Sequence, residues 1–171
     1  MKALLVVDMI NDFVAPNGAL YIGPVAEQVV PEVKARLDHH RSAKNPVLFV
    51  CDQHIDEDRE FDLFPPHSVQ GSGGDEVFSE VAPKPGERVI GKRRFSAFFG
   101  TDLDLTLREK GIEEIELVGV VSNICILYTA AEARMLGYRV TVPQKAVASF
   151  DEEAHRFALQ EMKKTLGVNL I

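Results

Sequence analysis

Residues 115–125 read Ile-Glu-Leu-Val-Gly-Val-Val-Ser-Asn-Ile-Cys, and a helical pattern from Ile126 to Leu136 follows them. The apolar run Ile115 to Val118 predicts a buried strand that turns at Gly119 and passes directly into a helix. Such a turn places free backbone N–H groups at a helix N-terminus, which carries a partial positive charge. We therefore expect Cys125 to have a lowered pKa and to act as a nucleophile, with the N–H groups holding an oxyanion. The alternative is a core cysteine in the first turn of a buried helix.

The composition predicts a single soluble domain. With 171 residues the chain can bury a sizeable core, and hydrophobic and charged fractions of 46% and 26% are ordinary for a globular protein. A net charge of −7 argues against nucleic acid or an anionic membrane as the main partner. Two cysteines make no disulfide framework and fit the reducing cytoplasm. The apolar run within Met1 to Val7 is too short for a signal peptide or a membrane span.

Short apolar runs alternate with amphipathic patterns along the chain. Alternation of this kind predicts a parallel sheet covered by helices on both faces, which is a three-layer α/β fold. The segment from Ile55 to Pro85 has no periodicity, and a loop of that length is usually functional. The predicted strands are Ala3–Val7, Val47–Val50, Arg88–Gly91, Ile115–Val118, Arg139–Val142 and Val168–Ile171. The predicted helices are Val25–His40, Ile126–Leu136 and two that open with capping signals, Thr101-x-x-Asp104 running to Lys110 and Ser149-x-x-Glu152 running to Leu166.

Acidic side chains directly follow two of the predicted strands. Asp8 ends the first and Asp52 follows the second, while Cys125 lies in the turn after another strand. In parallel sheets the chemistry gathers beyond the carboxyl ends of the strands. We therefore expect these three residues to share one edge of the sheet, which favours Cys125 as a nucleophile over a core cysteine.

Asp8 is interpreted either as a turn residue or as a general base. A partly desolvated carboxylate has a pKa raised toward the working pH. Such a group can take the thiol proton from Cys125 and later pass it to a leaving amine. Lys92 stands beside Arg93 and Arg94, and taken alone this basic cluster indicates solvated loop charges.

A second group of side chains has the composition of a metal site. Asp52 and His54 are two residues apart, so an extended backbone directs both to one side. Together with His67 they offer a carboxylate and two imidazoles, which suit a divalent transition metal. Glu60 is a further candidate ligand, although the acidic run around it is equally typical of a solvated loop face. Cys51 is predicted to point to the opposite face, into the core. The acidic run comprises Asp56, Glu57, Asp58 and Asp62.

Five segments carry a resemblance to a known family. They are L-V-V-D-M-I-N-D-F at 5–13, D-Q-H at 52–54, F-P-P-H at 64–67 with Gly71 after it, K-R-R-F-S-A-F at 92–98, and G-V-V-S-N-I-C at 119–125. In this order they resemble the nicotinamidase/pyrazinamidase family of the isochorismatase-like cysteine hydrolase superfamily, and the resemblance covers nearly the whole chain. It implies a Rossmann-like α/β fold with a six-stranded, mainly parallel sheet.

The resemblance also implies roles for individual residues. It implies a catalytic triad of Asp8, Lys92 and Cys125. It further implies a cis peptide between Val120 and Val121, which aims the amides of Val121 and Cys125 into an oxyanion hole.

A divalent metal and an aromatic pocket follow from the same resemblance. The metal is expected to be Zn²⁺, with Fe²⁺ or Mn²⁺ as alternatives, and to bind the ring nitrogen of the substrate. Its implied ligands are Asp52, His54 and His67, with Glu60 as the candidate fourth protein ligand. The positions that wall the ring pocket are occupied here by Phe13, Phe64 and Phe95.

The expected activity is hydrolysis of nicotinamide, and of pyrazinamide, to the acid and ammonia through a thioester on Cys125. This reaction belongs to the salvage of pyridine nucleotides, including NAD, in the cytoplasm. The expected partners are a small amide substrate and, by analogy with the superfamily, further copies of the chain. One alternative is a metal-free amidase of the same superfamily acting on ureido or carbamoyl substrates. Another is a phosphoacceptor signalling domain, which also places acids at strand ends and uses a lysine.

Overall fold

Seven parallel strands form one sheet in the computed structural model of the chain, which describes residues 1–171. The strands are β1 (Lys2–Val7), β2 (Val47–Asp52), β3 (Arg88–Lys92), β4 (Glu114–Val120), β5 (Arg139–Val142), β6 (Val147–Ala148) and β7 (Asn169–Leu170). Six of them lie in the order β3-β2-β1-β4-β5-β7, and β6 pairs with the end of β4. The predicted mainly parallel sheet is confirmed, and β6 is an additional strand that the sequence did not predict.

Helices cover both faces of the sheet. They are α1 (Asn11–Val14), α2 (Ala26–Ser42), α3 (Leu103–Glu109), α4 (Leu127–Met135) and α5 (Glu152–Lys164). The side chains of β1 alternate between two apolar cores: Leu4 and Val6 belong to the core that α2 completes, and Leu5 and Val7 to the core shared with α3, α4 and α5. Because both faces are covered, β1 and β2 are apolar without alternation over Ala3–Val7 and Val47–Cys51, whereas β4 carries the buried Glu116. None of the helices has the length and apolar character that crossing a lipid bilayer requires.

The starts of two helices differ in detail from the capping signals. At α5 the side chain of Asp151, and not that of Ser149, accepts the hydrogen bond from the amide of Ala154, at 2.9 Å. Ser149 instead accepts from the amide of Asp151 and donates to Asn123, which lies in the turn after β4. The capping box predicted at Ser149 is therefore wrong, because its hydroxyl joins α5 to that turn. At α3 the hydroxyl of Thr101 accepts from the amide of Leu103, at 3.2 Å.

The aperiodic segment 55–85 is held to the sheet by backbone contacts at its middle. It contains two short 3₁₀ turns, Arg59–Asp62 and Ser79–Val81. His54 and Val69 form an isolated parallel bridge, in which the amide of His54 donates to the carbonyl of Ser68 at 2.9 Å. The carboxylate of Asp12 accepts from the amide of Ser68 at 2.6 Å. These contacts return the chain to the carboxyl end of β2 just after His67.

Gly119 lies where β4 turns into the following helix, and the sheet permits only glycine there. Its φ is +117°, and a Cβ at this position would lie 2.0 Å from the carbonyl oxygen of Val7. Val7 pairs with Gly119 and precedes Asp8. The close approach of the two strands therefore fixes the distance between Asp8 and the turn that carries Cys125.

We expect Gly119→Ala to lower the free energy of unfolding by roughly 2–5 kcal/mol, because backbone strain and overlap with β1 add together. Gly137→Ala is the matched control, since Gly137 also has a positive φ of +92° but open space around its missing Cβ. The control should lose about 1 kcal/mol from backbone strain alone. Urea unfolding measures both values. Equal losses for the two variants would contradict the close approach described for Gly119.

Candidate active site and metal centre

The carboxyl ends of four strands bring Asp8, Asp52, Lys92 and Cys125 into one buried cluster. The ammonium nitrogen of Lys92 lies 2.9 Å from Asp8 Oδ2 and donates to Cys125 Sγ at 3.3 Å. It also donates to Asp52 Oδ1. All four side chains are buried, and those of Asp8 and Lys92 have no exposed surface. Lys92 is thus the centre of the cluster, in contact with each of the other three groups.

Asp8 is held rigidly by the end of β2. Its backbone adopts φ 52°, a left-handed conformation that costs energy for a residue other than glycine. Its amide donates to the carbonyl of Val50 at 3.0 Å, and its Oδ1 accepts from the amide of Asp52 at 2.7 Å. Burial, together with the neighbouring charge of Asp52, raises the pKa of Asp8 from 3.8 to about 6. A carboxylate with this pKa can exchange protons near neutral pH.

The other two charged groups of the cluster stay ionised. Burial alone would raise the pKa of Asp52, but the Lys92 ammonium and the nearby imidazoles of His54 and His67 hold that pKa well below its usual range. Burial alone would lower the pKa of Lys92, yet the carboxylates of Asp52 and Asp8 outweigh it and raise the pKa well above its ordinary value. Lys92 is therefore a permanent cation with two acidic neighbours.

The thiol of Cys125 differs from the expectation drawn from its position at a helix N-terminus. Burial raises the pKa of Cys125 well above its ordinary value, and the negative charge of Asp8 adds to this effect, while Lys92 opposes it. The expectation of a lowered pKa is therefore wrong for the resting site. Sequence position reveals the helix end, but not the desolvation or the nearby carboxylate that outweigh it. The resting thiol of Cys125 is neutral and lies beside a carboxylate that can accept its proton.

The turn that carries Cys125 has an unusual backbone. The peptide between Val120 and Val121 is cis, and residues Ser122–Ile126 form a π-helical turn that leads into α4. Two side-chain contacts tie this turn to the segment around α5. Ser122 Oγ lies 2.8 Å from His155 Nδ1, and Ser149 donates to Asn123 at 2.7 Å.

Three further side chains meet Asp52 beside this cluster. Asp52, His54, Glu60 and His67 are all buried and offer ligand atoms that lie within 4.8 Å of one another. His54 Nε2 lies 3.7 Å from Asp52 Oδ2, as does His67 Nε2. Asp52 and His54 therefore do share one side of the extended chain, and Cys51 packs into the core on the other.

The residues present fit a divalent transition metal. His54 Nε2 and Glu60 Oε2 are buried without a hydrogen-bond partner, which is costly unless another group binds them. His67 Nδ1 lies 2.8 Å from the carbonyl oxygen of Pro65, so its other ring nitrogen is free to face the ligand cluster. Two imidazoles and two carboxylates form a donor set that suits zinc, iron or manganese.

An aromatic cavity of about 350 Å³ opens onto both groups. Asp52, Glu60, His67 and Cys125 all line it, so the thiol and the candidate metal ligands face one space. The ring of Phe64 meets the ring of His67 edge-on, with centroids 6.2 Å apart. The three phenylalanines named from the sequence, Phe13, Phe64 and Phe95, also line the cavity, together with Val121.

Several wall residues were not predicted from the sequence. They are Ala19, Leu20, Tyr21, Ile124 and Phe150. Phe150 follows the short strand β6, and the rule that places sites beyond strand ends would have indicated it had that strand been recognised. Two hydrogen bonds to Asp12 bring the segment around Leu20 to the cavity. The side-chain carboxylate of Asp12 accepts from the amide of Ala19, and the backbone carbonyl of Asp12 accepts from the amide of Leu20.

Comparison with known proteins agrees with this arrangement. The sequence matches the isochorismatase domain family over residues 2–170. The chain belongs to the isochorismatase family. It is therefore an isochorismatase-like hydrolase, which removes the phosphoacceptor signalling domain as an alternative.

Three solved structures of isochorismatase-like proteins resemble the chain over nearly its whole length. A pyrazinamidase/nicotinamidase of Streptococcus mutans UA159 has a TM-score of 0.95 and 35% identity, with 100% of both chains covered. An N-carbamoylsarcosine amidase of Thermoplasma acidophilum has a TM-score of 0.90 and 34% identity, covering 99% of this chain and 94% of that one. A pyrazinamidase of Pyrococcus horikoshii in complex with zinc has a TM-score of 0.92 and 29% identity, covering 99% and 98%.

Proposed function

We propose that the protein is a metal-dependent cysteine amidohydrolase that converts nicotinamide to nicotinate and ammonia, and that also accepts pyrazinamide. The observation that carries the proposal is that Cys125 and three of the four candidate metal ligands, Asp52, Glu60 and His67, line one aromatic cavity, with His54 completing the donor set behind them. A flat pyridine or pyrazine ring suits walls of phenylalanine, with its carboxamide directed at the thiol. Similarity to the pyrazinamidase/nicotinamidase of Streptococcus mutans supports this substrate class.

In the proposed reaction Asp8 moves every proton. The thiol proton of Cys125 passes to Asp8 as Sγ forms a bond to the amide carbon, and the carbonyl oxygen becomes an oxyanion held by the amides of Val121 and Cys125. Asp8 then donates that proton to the amide nitrogen, the C–N bond breaks, and ammonia leaves a thioester on Cys125. A water molecule gives a proton to Asp8 as it attacks the thioester. The proton returns to Sγ as nicotinate leaves.

Lys92 stabilises charge throughout this cycle. As a permanent cation it contacts both Asp8 and Sγ, so it lowers the cost of the negative charge that moves between them. Asp52 contacts Lys92 and is also a candidate metal ligand, which joins the two halves of the site.

The ligand cluster would hold Zn²⁺, Fe²⁺ or Mn²⁺ through Asp52, His54, Glu60 and His67. A metal bound there supplies a Lewis acid for the ring nitrogen of the substrate. Phe13, Phe64 and Phe95 exclude water from the ring and orient the carboxamide toward Cys125. The product acid and its pyridine ring make the proposed role one of pyridine nucleotide salvage.

A carbamoyl compound is the second candidate substrate. The observation that favours it is the similarity, at 34% identity, to the N-carbamoylsarcosine amidase of Thermoplasma acidophilum. A carbamoyl group presents the same carbonyl to Cys125 but has no ring for the phenylalanine walls, so the aromatic cavity favours the pyridine carboxamide.

We expect ammonia release to be fastest with nicotinamide and pyrazinamide in a panel that also contains N-carbamoylsarcosine and ureidoacrylate, with metal content measured on the same sample. Cys125→Ala should lower turnover on the order of 10⁴-fold or more, because no thioester can form, while the metal content stays unchanged. Cys51→Ala is the matched control and should keep its activity. Preference for a carbamoyl substrate would contradict the assigned substrate, and an active Cys125→Ala would contradict the mechanism.

The raised pKa of Asp8 predicts the acid limb of the pH profile. Protonated Asp8 cannot accept the thiol proton, so kcat/KM should fall as the pH drops through about 6, the pKa of Asp8. The measurement is kcat/KM for nicotinamide across this range, with bound metal determined at each pH to separate loss of metal from titration of the base. A midpoint near the ordinary carboxylate value of 3.8 would contradict the raised pKa of Asp8, and an Asp8→Asn variant that keeps the acid limb would show that Asp8 is not the base.

A further inference from the structure

Asp58 is a buried carboxylate that the proposed reaction does not use. It belongs to the acidic run of the loop after β2, yet its side chain has no exposed surface, whereas its neighbours Asp56 and Glu57 are exposed. A buried charge of this kind is retained only when several groups compensate it. The groups that contact the carboxylate of Asp58 therefore indicate its role.

Each carboxylate oxygen of Asp58 contacts one of the candidate metal ligands. Oδ2 lies 3.1 Å from His54 Nδ1, the ring nitrogen opposite the one that faces the ligand cluster, as a close ion-pair contact and not an aligned hydrogen bond. Oδ1 accepts from the backbone amide of Glu60 at 3.0 Å and so caps the 3₁₀ turn Arg59–Asp62. One carboxylate is thus in contact with two of the four candidate metal ligands.

Each oxygen also accepts from one arginine. Arg93 Nε donates to Oδ2 at 2.7 Å, and Arg94 Nη1 donates to Oδ1 at 2.9 Å. These arginines directly follow Lys92, and their guanidinium groups reach inward from the surface, with side chains 48% and 40% exposed. The basic cluster Lys92-Arg93-Arg94 therefore divides its charges between the two halves of the site: Lys92 contacts the thiol, and the arginines hold Asp58.

We propose that Asp58 is a positioning residue for the metal centre, which orients the ring of His54 and the turn of Glu60 while Arg93 and Arg94 anchor it to the segment that follows Lys92. A carboxylate this close to Nδ1 favours the tautomer that carries the proton on Nδ1, which leaves Nε2 free for the metal and raises the basicity of the ring. The inference rests on the proposed metal site and extends it to residues beyond the ligands.

The test is the dissociation constant for Zn²⁺, measured on the full chain by competition with a chromogenic chelator. Asp58→Asn keeps the size of the side chain but removes its charge and one of its two acceptor oxygens, so it cannot serve both His54 and the amide of Glu60, and we expect it to weaken Zn²⁺ binding by about 10- to 100-fold. Asp56→Asn is the matched control, with the same change of charge at an exposed position of the same loop. It should stay within about twofold of the wild type.

Two further readouts separate positioning from a general loss of stability. Replacing Zn²⁺ by Co²⁺ reports the ligand geometry in the visible spectrum, which should change in Asp58→Asn and not in Asp56→Asn. The melting temperature of the metal-free proteins shows whether the loop folds without the carboxylate. If Asp58→Asn does not fold, Arg93→Gln and Arg94→Gln take its place, and each should weaken Zn²⁺ binding in the same direction to a smaller extent.

The outcomes are distinct. Weaker Zn²⁺ binding with an altered Co²⁺ spectrum supports the inference. Equal Zn²⁺ affinities for Asp58→Asn and Asp56→Asn overturn the inference but not the metal site. If Asp58→Asn does not fold, arginine variants that bind Zn²⁺ like the wild type have the same meaning. A wild-type chain that binds no Zn²⁺ overturns both this inference and the metal dependence of the proposed function.

Discussion

The structure depends on a buried ammonium group. Lys92 Nζ is in contact with two carboxylates and a thiol, and no part of its side chain reaches solvent. Removing one partner from a buried ion pair typically costs about 3–5 kcal/mol, because the other charge is left without compensation. Asp8, Asp52 and Lys92 lie at the ends of three neighbouring strands. Their charges therefore compensate one another only when β1, β2 and β3 are in register. The charge cluster and the sheet therefore specify each other.

The parallel sheet explains how two kinds of chemistry come to share one cavity. The strand ends supply the carboxylate of Asp8 and the cation Lys92, and the turn after β4 supplies the thiol. The long loop after β2 returns to the same edge through the bridge between His54 and Val69, which brings the remaining candidate metal ligands beside Asp52. Asp52 belongs to both groups, so the position of the ligand cluster and that of the base are coupled through a single carboxylate.

Much of this arrangement could be predicted from the sequence, for a clear physical reason. Apolar strands without alternation indicate a covered parallel sheet, and that topology requires residues after the strands to meet at one edge. The predictions that were wrong or missing concern features that depend on the tertiary surroundings of a residue. The two residues of β6 carry no periodic signal, and Ser149 matched a capping pattern although its hydroxyl serves another contact. The pKa of Cys125 is set by burial and by Asp8, neither of which is visible in the local sequence. Within the acidic run, only the fold distinguishes buried Asp58 from its solvated neighbours.

If Asp8 is the base, the resting site must keep its proton on the thiol of Cys125 and leave Asp8 free to accept it. Thiolate absorbance in the ultraviolet, taken as the difference between the wild type and Cys125→Ser across a pH titration, tests this most directly. We expect no thiolate from Cys125 at neutral pH, and a midpoint above the ordinary thiol value of 9.0. A midpoint at or below neutral pH would show that the proton has already left the sulfur, and would contradict the assignment of Asp8 as the base.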